Sequence, residues 1–251
     1  MEIITSTSNN FVKMLRGLKE KKGRGREDAF LVEGAKFVGE IGAEWSVRHV
    51  VMSASFASEY GRDTAVVLSD GVFATISDVL APQGIMAVVQ RRNFGINELF
   101  VADKPLVFML EEINDPGNLG TILRTCHGLG AAGIILSPNC VDIYSPKVAR
   151  ASAGSIFHIA HVVMDLQQAA AELKGRGVPI YATLPLAKKP LHQLDLRQAA
   201  AFLLGNEHKG LKDETAALAC EAISIPAAAE SLNVSICAAI LAYEASRQRL
   251  I

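Results

Sequence analysis

Cysteine is scarce in this chain, with four among 251 residues, and tryptophan scarcer, with one. Cys126, Cys140, Cys220 and Cys237 form no CxxC pair and have no histidine at zinc-finger spacing. A disulfide framework is therefore excluded, and four reduced, buried thiols with no metal are expected. No apolar run approaches the length needed to cross a bilayer, so no membrane association is expected. The stretch MEIITSTSNN lacks the basic start and apolar core of a signal peptide, which makes the cytoplasm the expected location. An excess of one charge is missing too. The 25 Lys and Arg face 26 Asp and Glu, so bulk electrostatics neither demands nor forbids a polyanionic partner.

What remains is an ordinary globular composition, 50% hydrophobic and 20% charged, in a chain long enough for one large or two modest domains. Charge is uneven along it. Lys13, Arg16, Lys19, Lys21, Lys22, Arg24 and Arg26 stand against Glu20 alone, in a helix-like segment (NNFVKMLRGLKE) running into a polar loop, KKGRGRED. Such a patch suits phosphate contacts by counterion release, and Lys13, Arg16, Lys21, Lys22, Arg24 and Arg26 are the candidate RNA-binding residues. A solvated helix face is the plainer explanation of the same residues.

Short apolar pieces (FLVEG, VRHVVMS, TAVVLS, VFATI, GIMAVVQ) alternate with helical periodicity up to residue 95, which predicts a small α/β domain over 1–95. RRNFGINELFVADKP is polar and aperiodic, and a linker is expected at 96–104. From 105 to 251 the strands become continuous apolar runs: LVFML, GIILS, SIFHIA, VPIYATL, AFLLG and AISI. Runs apolar on both faces belong to a parallel sheet covered by helices. The last helix, SLNVSICAAILAYEASRQR, carries a stripe of Leu232, Ile236, Ile240 and Tyr243 beside one of Cys237 and Leu241, which predicts burial on more than one side.

Two nucleotide signatures are decoys. GLGAAG at 128–133 fits GxGxxG, but it follows a helix and precedes a strand, the reverse of what dinucleotide binding requires. GNEHKGLK at 205–212 has Leu211 where a P-loop has its lysine. Three polar segments then stand out, each directly after an apolar strand, where open α/β sheets bind ligands. The first is EEINDPGNLGTILRTCHGLG, whose helix carries Arg124 among Leu119, Ile122, Leu123 and Leu129. An arginine among apolar neighbours calls for a partner or a role, because an isolated buried charge is costly. The second is LLGNEHKGLKDET, with Gly205 after the strand and Glu207 in the turn. The third is ISIPAAAESLNVSICAAI, with Ser231 placed as an N-cap and Asn233 in the first helical turn.

In order and spacing these three segments resemble the signature motifs of the SpoU (TrmH) family of RNA ribose 2′-O-methyltransferases, of the SPOUT class. SPKVARASAGSIFHI is similar to the family's stretch between the first two motifs. FLVEGAKFVGE and PQGIMAVV look like the small substrate-binding domain many members carry. The resemblance implies a C-terminal parallel-sheet α/β domain with a deep trefoil knot, an N-terminal α/β RNA-binding domain and a homodimer acting on rRNA or tRNA, with rRNA favoured. It implies S-adenosylmethionine as cofactor, held by Thr183, Leu184, Gly205, Ile225 and Leu232, and a catalytic set of Asn114, Arg124, Glu207, Ser231 and Asn233. The chain departs from the pattern in one place: only AAAE separates Pro226 from Ser231, a shorter loop than relatives commonly have. By the same resemblance Arg124 lies at the reacting hydroxyl, and a guanidinium is too weak a base to make literal proton abstraction the default. Two other classes bear on these residues: a nicotinamide-dependent oxidoreductase using GLGAAG, and a non-catalytic RNA-binding protein whose second domain only dimerises.

Overall fold

The computed structural model describes residues 3–61 and 64–249. In chain order the first elements are α1 (Asn10–Gly17), α2 (Lys21–Glu27), β1 (Ala29–Glu33), α3 (Ala35–Gly39), β2 (Val47–Ser53), α4 (Ala54–Tyr60), β3 (Val66–Leu68), α5 (Asp70–Ala74) and β4 (Ile85–Gln90). Then come β5 (Leu106–Leu110), α6 (Pro116–Gly128), β6 (Gly133–Leu136), α7 (Pro146–Ala151), β7 (Ala160–Val163), α8 (Leu166–Gly175) and β8 (Ile180–Thr183). The last are β9 (Lys189–Pro190), β10 (Ala200–Leu204), α9 (Asp213–Ala216), β11 (Glu221–Ser224) and α10 (Val234–Arg249).

Two compact units divide the chain. One is the chain up to Arg92 joined by Tyr144–Phe157; the other is Asn93–Ile143 joined by the chain from His158 onward. The backbone thus passes between the units three times, after Arg92, Ile143 and Phe157, where a single linker at 96–104 was expected. Residues 96–100 form a 3-10 helix whose Leu99 is fully buried in the core of the second unit. Leu99 is the reason: one large apolar side chain in a polar stretch is enough to dock it, and its neighbours mask the periodicity.

The first unit is a four-stranded mixed sheet of order β1-β4-β2-β3, with β4 antiparallel to both neighbours and β3 parallel to β2. Asn9 caps α1 by accepting from the Phe11 amide, and the helix spacing then turns Val12 and Leu15, with Leu18 just beyond, onto Leu31, Val51 and Met86. Phe30 lies against Tyr144 at 4.7 Å and against Trp45 and Phe157, each at 6.1 Å between ring centroids. Trp45 Nε1 donates to the Phe157 carbonyl at 2.9 Å. These rings explain why Tyr144–Phe157 belongs to this unit. Two sequence expectations change here. KKGRGRED is not a loop: Lys21–Glu27 is helical, and VFATI is not a strand, because Ser69 accepts from the Val72 amide and starts α5.

The second unit is a seven-stranded, all-parallel sheet of order β7-β6-β5-β10-β8-β11-β9. Every residue of β5, β6 and β10 is buried, as expected of strands covered on both faces. SIFHIA, read as one strand, is a 3-10 turn at Ser155–Phe157 followed by β7. On α10 the buried stripe is Val234, Ala238, Leu241, Ala242 and Ala245; Ile236 and Tyr243 of the expected stripe are 49% and 59% exposed. Among the described residues no helix is long and apolar enough to cross a membrane. Of the four cysteines only Cys126 is buried, and burial pushes its thiol up; Cys220 is exposed, which corrects the expectation of four buried thiols.

Candidate functional site

Parallel strands bring their carboxyl ends to one edge of the sheet, and the three polar segments follow β5, β10 and β11 at that edge. β5 pairs β10 directly, so the turn at Asn114–Gly117 and the loop at Gly205–Gly210 are neighbours. Asp115 caps α6 by accepting from the Asn118 amide at 2.8 Å, with Pro116 in the first turn. Gly205 has to be glycine for space. A Cβ there would lie 2.2 Å from the Gly210 carbonyl carbon and 2.3 Å from the Leu211 nitrogen.

Glu207 is the hub. Its Oε1 accepts from the Asp115 amide at 3.1 Å and from Asn118 Nδ2 at 3.2 Å; its Oε2 accepts from the Asn114 amide at 3.3 Å and from Asn206 Nδ2 at 3.4 Å. Partial burial by itself would raise this carboxyl. Its own backbone amide, the Asn118 side chain and the amides of Asp115 and Asn114 outweigh that and hold it below its ordinary value. Glu207 is therefore a carboxylate at neutral pH, bound mostly by neutral donors.

Asn118 carries the link onward. Its Oδ1 accepts from Asn233 Nδ2 at 3.0 Å, so Glu207, Asn118 and Asn233 tie the three segments into one chain of hydrogen bonds. Asn233 Oδ1 in turn accepts from the Ser235 amide at 2.9 Å and from Ser235 Oγ at 2.6 Å. Asn233 is thus the cap of α10, two residues later than the Ser231 expected; Ser231 is exposed in the preceding turn and makes no hydrogen bond to a described residue. On the other flank Asn206 is buried, its Nδ2 donating to the Glu112 carbonyl at 2.7 Å and its Oδ1 accepting from the His208 and Lys209 amides. Asn118 and Asn206 were missed as individual site residues. Both lie inside the quoted motifs, and a run of polar side chains beside a strand-end glycine was the available signal.

Arg124 is exposed, and no described residue pairs with it. Its helix buries Leu119, Gly120, Ile122, Leu123 and Cys126, so Arg124 stands beside the apolar face instead of interrupting it. The structural ion pair that would have explained it is absent among the described residues, leaving a free guanidinium two turns from the Asn114 turn.

Four of the five expected cofactor residues fall at the ends of three adjacent strands. β8 pairs both β10 and β11, with Ala182 opposite Leu203 and Thr183 opposite Ile223. Thr183, Leu184, Gly205 and Ile225 therefore share one strand-end shelf, fastened by the Leu184 amide donating to the Ile223 carbonyl at 2.8 Å. Thr183 Oγ1 is buried without a hydrogen-bond partner, the only such atom among the described residues. A buried hydroxyl left unmet has a hydrogen bond to offer a polar ligand. Leu232, half-buried, accepts from Cys237 Sγ at 3.7 Å through its carbonyl.

In the first unit Lys13, Lys21, Lys22 and Arg26 are exposed, and Arg16 donates to Thr75 Oγ1 at 2.7 Å. Arg24 does not belong with them. It is 3% exposed and donates Nη1 to the Leu18 and Lys19 carbonyls, closing the end of α1 against α2. GLGAAG is structural as well: the Ala131 amide closes the end of α6 on the Cys126 carbonyl, and a Cβ on Gly133 would meet Leu99 at 2.2 Å.

The family model for SpoU rRNA Methylase matches residues 105–243, and that for the MRM3-like substrate binding domain matches residues 9–87. The chain belongs to the SpoU rRNA methylase family. It is 33% identical to an uncharacterized tRNA/rRNA methyltransferase of Synechocystis sp., over 98% of this chain and 94% of that one. It is 30% identical to the 23S rRNA (guanosine(2553)-2′-O)-methyltransferase RlmP of Bacillus subtilis, over 97% and 98% respectively. Its fold superimposes on an AdoMet-bound rRNA methyltransferase from Sinorhizobium meliloti with a TM-score of 0.88 at 29% identity, over 98% of this chain and 97% of that one.

Proposed function

We propose that this chain methylates a ribose 2′-hydroxyl in structured RNA, using S-adenosylmethionine, with ribosomal RNA as the favoured substrate. The observation that carries the reading is the Glu207–Asn118–Asn233 chain of hydrogen bonds, which locks three distant family motifs together at the strand ends. Ribosomal RNA is favoured because the full-length matches named above are rRNA methyltransferases or include rRNA in their names, and because the first unit matches a substrate-binding domain.

The cofactor, when bound, supplies a methyl group on a sulfonium whose positive charge vanishes as the methyl leaves, so the chemistry calls for alignment more than for charge stabilisation. Thr183, Leu184, Gly205, Ile225 and Leu232 would hold it: the unmet Thr183 hydroxyl offers a hydrogen bond, and the Gly205 backbone allows close approach. Arg124 orients the ribose hydroxyl and the adjoining phosphate. Asn114 and Glu207 fix the turn that starts α6, while Ser231 and Asn233 shape the entry to α10.

A homodimer is part of the proposal, supported by Ile236 and Tyr243 standing exposed on α10 opposite its buried stripe. So is the trefoil threading, supported by β10, late in the chain, lying between the earlier strands β5 and β8. The test is transfer of labelled methyl into total RNA from a strain lacking the gene, with calorimetry of cofactor binding alongside. Arg124→Ala is expected to lower transfer by about 100-fold or more while leaving cofactor affinity within about twofold. Equal loss of both would make Arg124 structural, and no transfer by the unaltered chain to any RNA fraction would sink the assignment.

A further inference from the structure

β2 is irregular at its exposed start. Its pairing with β4 shifts register between Val47 and His49, which leaves Arg48 as an extra residue in a bulge. A regular strand would send Arg48 and His49 to opposite faces. Here both engage the α1–α2 pair. Arg48 Nη1 donates to the Glu27 carbonyl at the end of α2, 2.5 Å away, and the His49 ring stands edge-on to Phe11 of α1 at 5.0 Å with an interplanar angle of 85°. β3 pairs with Val51–Ser53, so among the described residues the flank of β2 over residues 47–50 carries no neighbouring strand.

The chemistry exposed there is mixed in a specific way. Val47, Arg48 and His49 are all exposed, and Phe11 is half-buried behind the imidazole. Arg48 meets a carbonyl and no described carboxylate, so its charge is not neutralised. Arg26 lies alongside, held to Glu27 Oε1 at 2.8 Å, and Lys13, Lys21 and Lys22 of the same two helices have no described partner. A solvated basic face needs no exposed ring, whereas a surface that grips both phosphate and base needs a cation and a ring side by side.

We propose that Arg48 and His49, with Phe11 behind them, form a contact surface for an unpaired stretch of RNA, the ring stacking on a base and the guanidinium meeting a phosphate. This rests on the RNA methyltransferase reading and names which kind of RNA element the first unit takes. A duplex shows no free base face, so the surface discriminates in favour of loops and single strands.

The full chain is tested by fluorescence anisotropy against a short labelled oligouridylate and an RNA duplex of the same length, over a salt series, with thermal melting to verify folding. His49→Ala weakens oligouridylate binding by about tenfold and leaves the duplex unchanged, and His49→Phe restores the affinity. Arg48→Ala lowers the slope of log affinity against log salt by about one. Unchanged oligouridylate affinity in His49→Ala, or an equal loss for the duplex, overturns the proposal, as does failure of His49→Phe to restore binding in a normally melting protein. Methyl transfer by the unaltered chain is read in parallel. Normal transfer with ring-independent binding removes this surface alone, whereas ring-dependent binding without transfer supports the surface and removes the methyltransferase reading.

Discussion

The two units handle polar side chains in opposite ways. In the second, the groups at the strand ends are bound to one another: Glu207 accepts four hydrogen bonds, and Asn118 passes the connection to Asn233 across 115 residues of sequence. In the first, Lys13, Lys21, Lys22 and Arg48 have no carboxylate partner among the described residues, and Arg24, the one buried cation among them, closes two helices. The contrast follows from what each must do. Methyl transfer requires reacting atoms held within fractions of an ångström, which only a cross-linked network provides. Attraction of a polyanion works at a distance and survives imprecise side chains, which a field of free cations provides.

The sheets differ in parallel. β5, β6 and β10 are buried along their whole length, so their ends cannot shift without moving the core. β2 begins with three exposed residues and a bulge. Rigidity sits under the network and irregularity under the surface.

The sharpest break of this comparison is by truncation. A fragment of residues 1–95 lacks Tyr144–Phe157 and hence the rings packed on Phe30 and the carbonyl that receives Trp45 Nε1. It is expected not to unfold cooperatively in a thermal melt, whereas the same fragment with residues 144–157 rejoined through a glycine-rich linker does. A cooperative melt by the short fragment would show that the insert is dispensable. Next in size is Glu207→Ala, which strips the acceptor from four donors; methyl transfer should fall about 100-fold, with about 2 kcal/mol lost in denaturant unfolding. Transfer within a few-fold of the original would mean that the network does not set the geometry.

A smaller effect follows from acidification. The folded Glu207 carboxyl lies below its ordinary value of 4.5, so its contribution to stability is fully present above that value and is lost as pH falls through the lower, folded one. The melting temperature of the unaltered protein should therefore drop more steeply as pH falls below 4.5 than that of Glu207→Gln. Coincident curves would assign the acid sensitivity elsewhere. Smallest of all is Lys22→Ala, expected to reduce the salt dependence of RNA binding by about one unit of slope without altering methyl transfer at saturating RNA.

Much of the second unit was legible beforehand because its signals are local. Two-faced apolar runs such as LVFML and AFLLG announce buried parallel strands, and Asn114, Gly205 and Glu207 stand within a few residues of strand ends. The family was legible for the same reason. The place of Tyr144–Phe157 was not, because Phe30, Trp45 and Phe157 are far apart in sequence and each is an unremarkable aromatic on its own. Arg24 looked like the other cations, since six residues of local sequence cannot reveal that its guanidinium turns back onto the Leu18 carbonyl. Arg124 looked embedded for a related reason: the helical spacing leaves its direction within a turn of the apolar stripe, and only packing settles which side faces the core.

Sequence by itself determined the apolar strands of the larger sheet, its parallel character and the identity of the motifs, because hydrophobic runs and strand-end glycines act over a few residues. Tertiary structure decided which distant groups share a hydrogen bond, which cation is buried and which unit owns a segment. Those outcomes depend on contacts between residues that chain order separates, and their energies exist only once the sheets have brought them together.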